Sequence, residues 1–145
     1  MSSHTHTNDP EVIKNLLLHR GTWAVVGLSP RTDRAAYGVS ALLQRLGQQI
    51  VPVHPRAQPV HDAQAYPNLA AIPFAVDVVD CFVNSKLVGD VVDQAIEIGA
   101  KAVWLQLGVI DEAAAQRAKD AGLKVVMDTC PAIEATKLGL SDAGS

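Results

Sequence analysis

Along the chain, short runs of consecutive apolar residues alternate with longer segments whose apolar positions recur every three or four residues. The runs are TWAVVG (22–27), QIVPV (49–53), VDVVDCFV (76–83), AVWLQL (102–107) and LKVVMD (123–128). They show little polar alternation, the pattern of strands covered on both faces. Between them lie helical repeats. Val12, Ile13, Leu16 and Leu17 follow Pro10, which Asn8 or Asp9 can cap. Val39, Leu42, Leu43 and Leu46 mark a second helix, and Leu87, Val88, Val91, Val92, Ala95 and Ile96 a third. Asp111 caps a fourth through Ala121, and PAIEATKLGL (131–140) predicts a short last one. Gly21, Gly47, Gly99 and Gly122 stand where these helices must stop.

Strands alternating with helices form right-handed βαβ units and a parallel sheet. The prediction is an α/β fold: one Rossmann-like domain over residues 9–140 with a doubly wound, mostly parallel five-stranded sheet. Flexible tails are expected at 1–8 and 141–145. Pro52 inside the second strand predicts a strand end or a position whose N–H needs no partner. Residues 56–73 break the rhythm as a long connection punctuated by proline, a length that usually accompanies a ligand.

Composition narrows the partners. The 145 residues suit one domain with a real core, and 48% apolar with 19% charged residues is ordinary for a globular chain. A formal charge of −3 and an aromatic content of 4% offer neither a basic field nor stacking platforms, so no nucleic acid is expected. No apolar run nears the ~20 residues of a membrane span, and the N-terminus has no secretory pattern. Two cysteines, without metal spacing, fit a reducing cytoplasm.

In such a sheet, ligands bind beyond the carboxyl ends of the strands, where strand order reverses. Those ends carry Gly27-Leu28-Ser29, His54-Pro55-Arg56, Asn84-Ser85, Gln106 to Gly108, and Asp128-Thr129-Cys130. The stretch AVVGLSPRTDRAAYG (24–38) is a strand, a glycine turn and the start of a helix, an arrangement that holds phosphate. It lacks the G-x-G-x-x-G fingerprint, but Arg31 and Arg34 can grip an anion. A plain turn with solvated arginines is the competing reading. After the second strand, an NAD site needs an acidic residue for the ribose diol. This chain has His54, Pro55 and Arg56 instead, which disfavours NAD and leaves NADP or coenzyme A, each with a phosphate on the ribose.

Five segments, VVGLSPRTDRAAYGV, IVPVHPRA, YPNLAAIPFAVDVVDCFVNS, AIEIGAKAVWLQLGV and AGLKVVMDTC, resemble the small stand-alone CoA-binding proteins. These are similar to the CoA-binding domain of the succinyl-CoA synthetase α subunit. The resemblance spans about Thr22 to Cys130. It implies a Rossmann domain that binds CoA without a reaction of its own. It further implies that Gly27, Ser29 and Arg34 hold the pyrophosphate; Arg31, Tyr37 and Gly38 of the same stretch are further candidate cofactor-binding residues. His54, Pro55 and Arg56 would meet the ribose and its 3′-phosphate. Phe82 to Ser85, including Asn84, would line the adenine or pantetheine path, with Gln106 and Gly108 further along the rim. The chain departs from the usual pattern at Ala36, His54, Val83-Asn84 and DTCPAIEATKLGL.

The remaining candidates each have a bland alternative. Cys130 can form a mixed disulfide with CoA, or be a half-buried small residue. His54 suits ligand contact better than acid–base catalysis, since no nucleophile pairs with it in the sequence. His61 with Asp62 is too little for a metal site. Asp77 and Asp80 bracket the start of the third strand, Asp90 and Asp93 fit a solvated helix face, and Cys81, Trp23 and Trp104 belong to the core. The rival functions are an NADP-binding oxidoreductase-like domain and an interaction module without ligand. A homodimer or an acyl-CoA enzyme as partner stays open.

Overall fold

The computed structural model describes residues 5–140, so what was expected of 1–4 and 141–145 lies outside the described residues. The chain runs α1 (Pro10–Leu18), β1 (Thr22–Val26), α2 (Ala35–Arg45), β2 (Gln49–Val53), β3 (Val78–Cys81), α3 (Val88–Glu97), β4 (Ala102–Leu105), α4 (Glu112–Asp120), β5 (Lys124–Val126) and α5 (Pro131–Lys137). One 3₁₀ turn, Leu69–Ala71, lies in the long connection. Every strand pair is parallel, in the order β2-β1-β3-β4-β5. This is the doubly wound fold expected, with the flavodoxin-type order and its switch point between β1 and β3.

Helix ends follow their side chains. Asp9 accepts from the Glu11 N–H at 2.9 Å with Pro10 as first residue, and Asp111 accepts from the Ala114 N–H at 2.9 Å. On one face of the sheet, Ala24, Val79, Val103 and Val125 pack with α3 and α4 residues such as Val92 and Ala115. On the other, Trp23, Val25, Ile50 and Trp104 pack with Leu17 of α1, Leu43 of α2 and Ala135 of α5. The two tryptophans are fully buried with ring centroids 5.7 Å apart, a contact worth about 0.5–1.5 kcal/mol beyond burial. Trp104 places its ring N–H on the Thr129 carbonyl at 2.9 Å.

Both sheet edges are covered. Pro52 lies on edge strand β2, and its carbonyl accepts from the Tyr66 N–H at 3.0 Å, while the His54 N–H donates to the Tyr66 carbonyl at 3.1 Å. Proline is tolerated there because its missing N–H faces away from β1. At the opposite edge, the Asn8 amide replaces a strand. Its Nδ2 donates to the Met127 carbonyl at 2.8 Å, and its Oδ1 accepts from the Met127 N–H at 2.9 Å.

One expectation fails inside the sheet. Asp77 does stand at the start of β3, accepting from the Thr22 N–H at 2.8 Å and facing Lys101 Nζ at 3.3 Å. Asp80 does not bracket that start. It sits within β3 between Val25 and Trp104, fully buried, and neither carboxyl oxygen has a partner among the described residues. The surrounding apolar run carries the strand past it. Burial pushes its carboxyl well above the usual carboxylate range.

Candidate functional site

Gly27 makes the turn out of β1 with φ +99°. A Cβ here would lie 2.4 Å from the Phe82 carbonyl oxygen, so only glycine lets β1 and β3 end this close together. The chain then loops through Ser29 and Arg31 and enters α2 at Arg34, which is extended (φ −94°, ψ 144°) and supplies no side-chain cap. The first-turn amides of an 11-residue helix therefore face the mouth of this turn, where the positive end of the helix dipole favours an anion.

These features enclose a cleft of about 400 Å³ lined by Gly27, Ser29, Arg31, Arg34, Ala35, Ala36, His54 and Phe82. A second cleft of about 410 Å³ opens on the α3 side. It shares Gly27 and His54 with the first, and its other walls are largely apolar, from Val53, Pro55, Leu69, Val83 and Val91. One cationic and one apolar compartment thus meet at Gly27 and His54, at the topological switch point.

The charges are unequal. Arg31 forms a forked pair with Asp33, Nε at 3.3 Å and Nη2 at 2.9 Å. That hydrogen bond holds the Asp33 carboxyl below its ordinary value. Arg34 has no carboxylate partner among the described residues, so it is the cation left for a ligand. His54 is half-buried, and its Nδ1 accepts from the Arg56 N–H at 3.1 Å. A neutral ring must then carry its proton on Nε2, leaving His54 a hydrogen-bond donor.

Five sequence candidates (Gly27, Ser29, Arg31, Arg34 and His54) converge on the first cleft, and Pro55 lines the second. Others are placed apart. Arg56 is exposed on the turn after β2, outside both linings. The Tyr37 ring lies 4.5 Å from that of His61, whose Nε2 is 3.1 Å from the Tyr37 carbonyl and from Ser40 Oγ. This contact ties the long connection to α2. Gly38 is exposed on α2. The Asn84 side chain accepts from the N–H groups of Lys86 and Leu87, and Ser85 Oγ donates to the Gly108 carbonyl and accepts from the Ile110 N–H. The Gly108 N–H in turn donates to Asp128 Oδ1 at 2.8 Å. Those bonds lace the ends of β3, β4 and β5 into one rim. Gln106 is buried on it, and Cys130 is half-buried just before α5.

Ala35, which lines the first cleft, and Pro67 and Asn68 in the second were not among the residues expected from the sequence. The first could have been found from the helix start; nothing local marks the others as neighbours of α3.

Comparison with known proteins agrees with this geometry. The sequence pattern of a family described as CoA binding domain matches residues 21–136. The chain is similar to YneT of Bacillus subtilis, 36% identical over 118 residues, which are 81% of this chain and 87% of YneT. It is similar to a solved protein from Pyrococcus horikoshii OT3, with 34% identity and a TM-score of 0.86 over 96% of this chain and 100% of that one. It also shares its fold with part of the dinucleotide forming acetyl-coenzyme A synthetase 1 of Ca. Korarchaeum cryptofilum. That match has 24% identity and a TM-score of 0.70, over 77% of this chain and 26% of the synthetase. With the family pattern covering the sheet, both clefts and the rim, this chain belongs to the CoA binding domain family.

Proposed function

We propose that the protein is a non-catalytic binder of coenzyme A or an acyl-CoA and holds the ligand's phosphates in the cleft between β1 and α2. The observation that carries this reading is the meeting of two compartments at Gly27 and His54. A pyrophosphate suits the uncapped α2 start and the Arg34 guanidinium, and a flat, weakly polar base suits the apolar cleft beside it. Arg56, on the turn after His54, is assigned to the 3′-phosphate.

A binding role fits the hydroxyls as well. The pair most like a nucleophile and its base is Ser40 with His61, but Ser40 is fully buried and its hydroxyl reaches the Ala36 carbonyl at 2.6 Å. Attack on a substrate needs an exposed oxygen.

Calorimetry tests the reading. CoA should bind ten- to a hundredfold more tightly than 3′-dephospho-CoA, which is about the 1.5–3 kcal/mol of one charge-assisted hydrogen bond. Equal affinities would remove Arg56 from the site. Heat from NADP with none from CoA would overturn the choice of ligand and favour the oxidoreductase-like alternative.

Asp33 competes with the ligand for Arg31. Asp33→Ala is therefore expected to tighten CoA binding by about two- to fivefold, the small effect expected of an exposed ion pair. The gain should shrink as salt is raised. Titrations of both proteins at low and high ionic strength check it; no gain at low salt would mean that Arg31 does not contact the ligand.

A further inference from the structure

Three residues line up along the carboxyl rim beyond the phosphate cleft. Phe82, at the end of β3, lines the cleft and packs on the tryptophan-bearing core. Gln106 follows β4, and its N–H donates to the Cys81 carbonyl, extending the β3–β4 ladder by one residue. By strand alternation it faces the same side as Trp104. Cys130 follows β5 and packs against that same core. Gln106 is 93% buried (7% exposed), yet its Oε1 has no partner among the described residues. A buried amide oxygen without a donor is costly, and in the strand order β4, which leads to Gln106, stands between β3, whose end lines the cleft, and β5, which leads to Cys130.

Resting on the reading that CoA phosphates occupy the β1–α2 cleft, we propose that the pantetheine arm crosses Gln106 and brings its sulfur to Cys130, which captures oxidised CoA as a mixed disulfide. The distances agree. From β1 across β3 and β4 to β5 is three strand spacings, about 14–15 Å. The arm from phosphate oxygen to sulfur is about a dozen bonds, roughly 15 Å when extended. Its amide N–H groups are the donors that Gln106 Oε1 lacks.

The reaction is an exchange with the disulfide form of CoA. Cys130 gives its proton to solvent, and Sγ attacks the sulfur of the bound half. The CoA–CoA bond breaks as the Cys130–CoA bond forms, and the departing CoA thiolate takes up a proton. No outside oxidant is needed, and a small thiol reverses the step. Cys81, fully buried with burial pushing its thiol well above the ordinary range, serves as an internal control.

The test follows adduct formation by intact-mass spectrometry with CoA disulfide and with pantethine, which has the same arm and disulfide but no nucleotide. CoA disulfide should modify Cys130 at least tenfold faster, because docking the nucleotide raises the local concentration of its sulfur. Arg34→Ala should erase that advantage, Cys130→Ser should give no adduct, and Cys81 should stay unmodified. Equal rates with both disulfides, or modification elsewhere, would overturn the inference. Titration of Cys130→Ser with CoA separates the two ideas: binding heat alongside equal rates leaves the phosphate site standing, and absence of heat removes both.

Discussion

Asp80→Asn is expected to stabilise the protein at neutral pH, by an amount that grows as pH rises. The carboxyl is fully buried between Val25 and Trp104 with no partner among the described residues, and burial raises its pKa well above the ordinary value. In the unfolded chain it ionises near pH 4. The stability associated with the protonated group is therefore whole below that pH. It is lost as pH rises toward the folded pKa, at about 1.4 kcal/mol per unit for a single proton. Asparagine has nearly the same shape and does not titrate. Any fixed cost of its unpaired amide shifts the two stability curves apart without changing their slopes. Urea denaturation at several values between pH 4 and pH 8 should show the gap widening in favour of the Asp80→Asn variant. Parallel curves would mean that Asp80 is charged in the native state. Asp80 lies two residues before Phe82 on the same face of the sheet, beneath the cleft floor. Kept neutral, it would add no repulsion to the phosphates proposed to sit there.

Gly27→Ala is expected to cost roughly 2–4 kcal/mol of stability and to abolish CoA binding. Two penalties combine. A left-handed φ of +99° strains any residue with a Cβ, and that Cβ would meet the Phe82 carbonyl oxygen at 2.4 Å. Neither chain can retreat freely. The Gly27 N–H is held by the Val53 carbonyl at 2.8 Å, and the Phe82 N–H by the Val26 carbonyl at 2.9 Å. Relief would pull β1 from β3 at the very point where the clefts meet. Gly108→Ala is the comparison: its φ is +83°, but nothing lies within 4 Å of the added carbon. It should show the strain alone, about 1 kcal/mol. Thermal unfolding of both variants separates crowding from strain, and equal losses would show that the approach to Phe82 is unimportant.

Much of the fold was legible because each element announces both its period and its end. The apolar runs placed all five strands, and Gly47, Gly99 and Gly122 follow their helices as predicted. Pro52 pointed to an unneeded N–H, and β2 is an edge strand. Strand order was not legible, since local pattern says where a strand ends but not which strand lies beside it. The gathering of Gly27 and His54 followed from the carboxyl-edge rule, and the place of Arg34 from the strand, glycine turn and helix start of residues 24–38. The pairing of Arg31 with Asp33 did not, because it depends on how an irregular loop closes. Nor did the burial of Asp80: one acidic residue in an apolar run usually marks a boundary, and only the packing of both helical layers shows that it is interior. Asn8 reads as part of a polar start, and its edge-capping role appears only when β5 is seen to be the last strand.

The most direct measurement is a crystal structure of the protein grown with excess CoA. Pyrophosphate density is expected against Gly27, the α2 first-turn amides and the Arg34 guanidinium, with the base in the apolar cleft beyond His54. CoA bound on another surface while that cleft stays empty, or the cleft filled by the protein's own side chains, would contradict it.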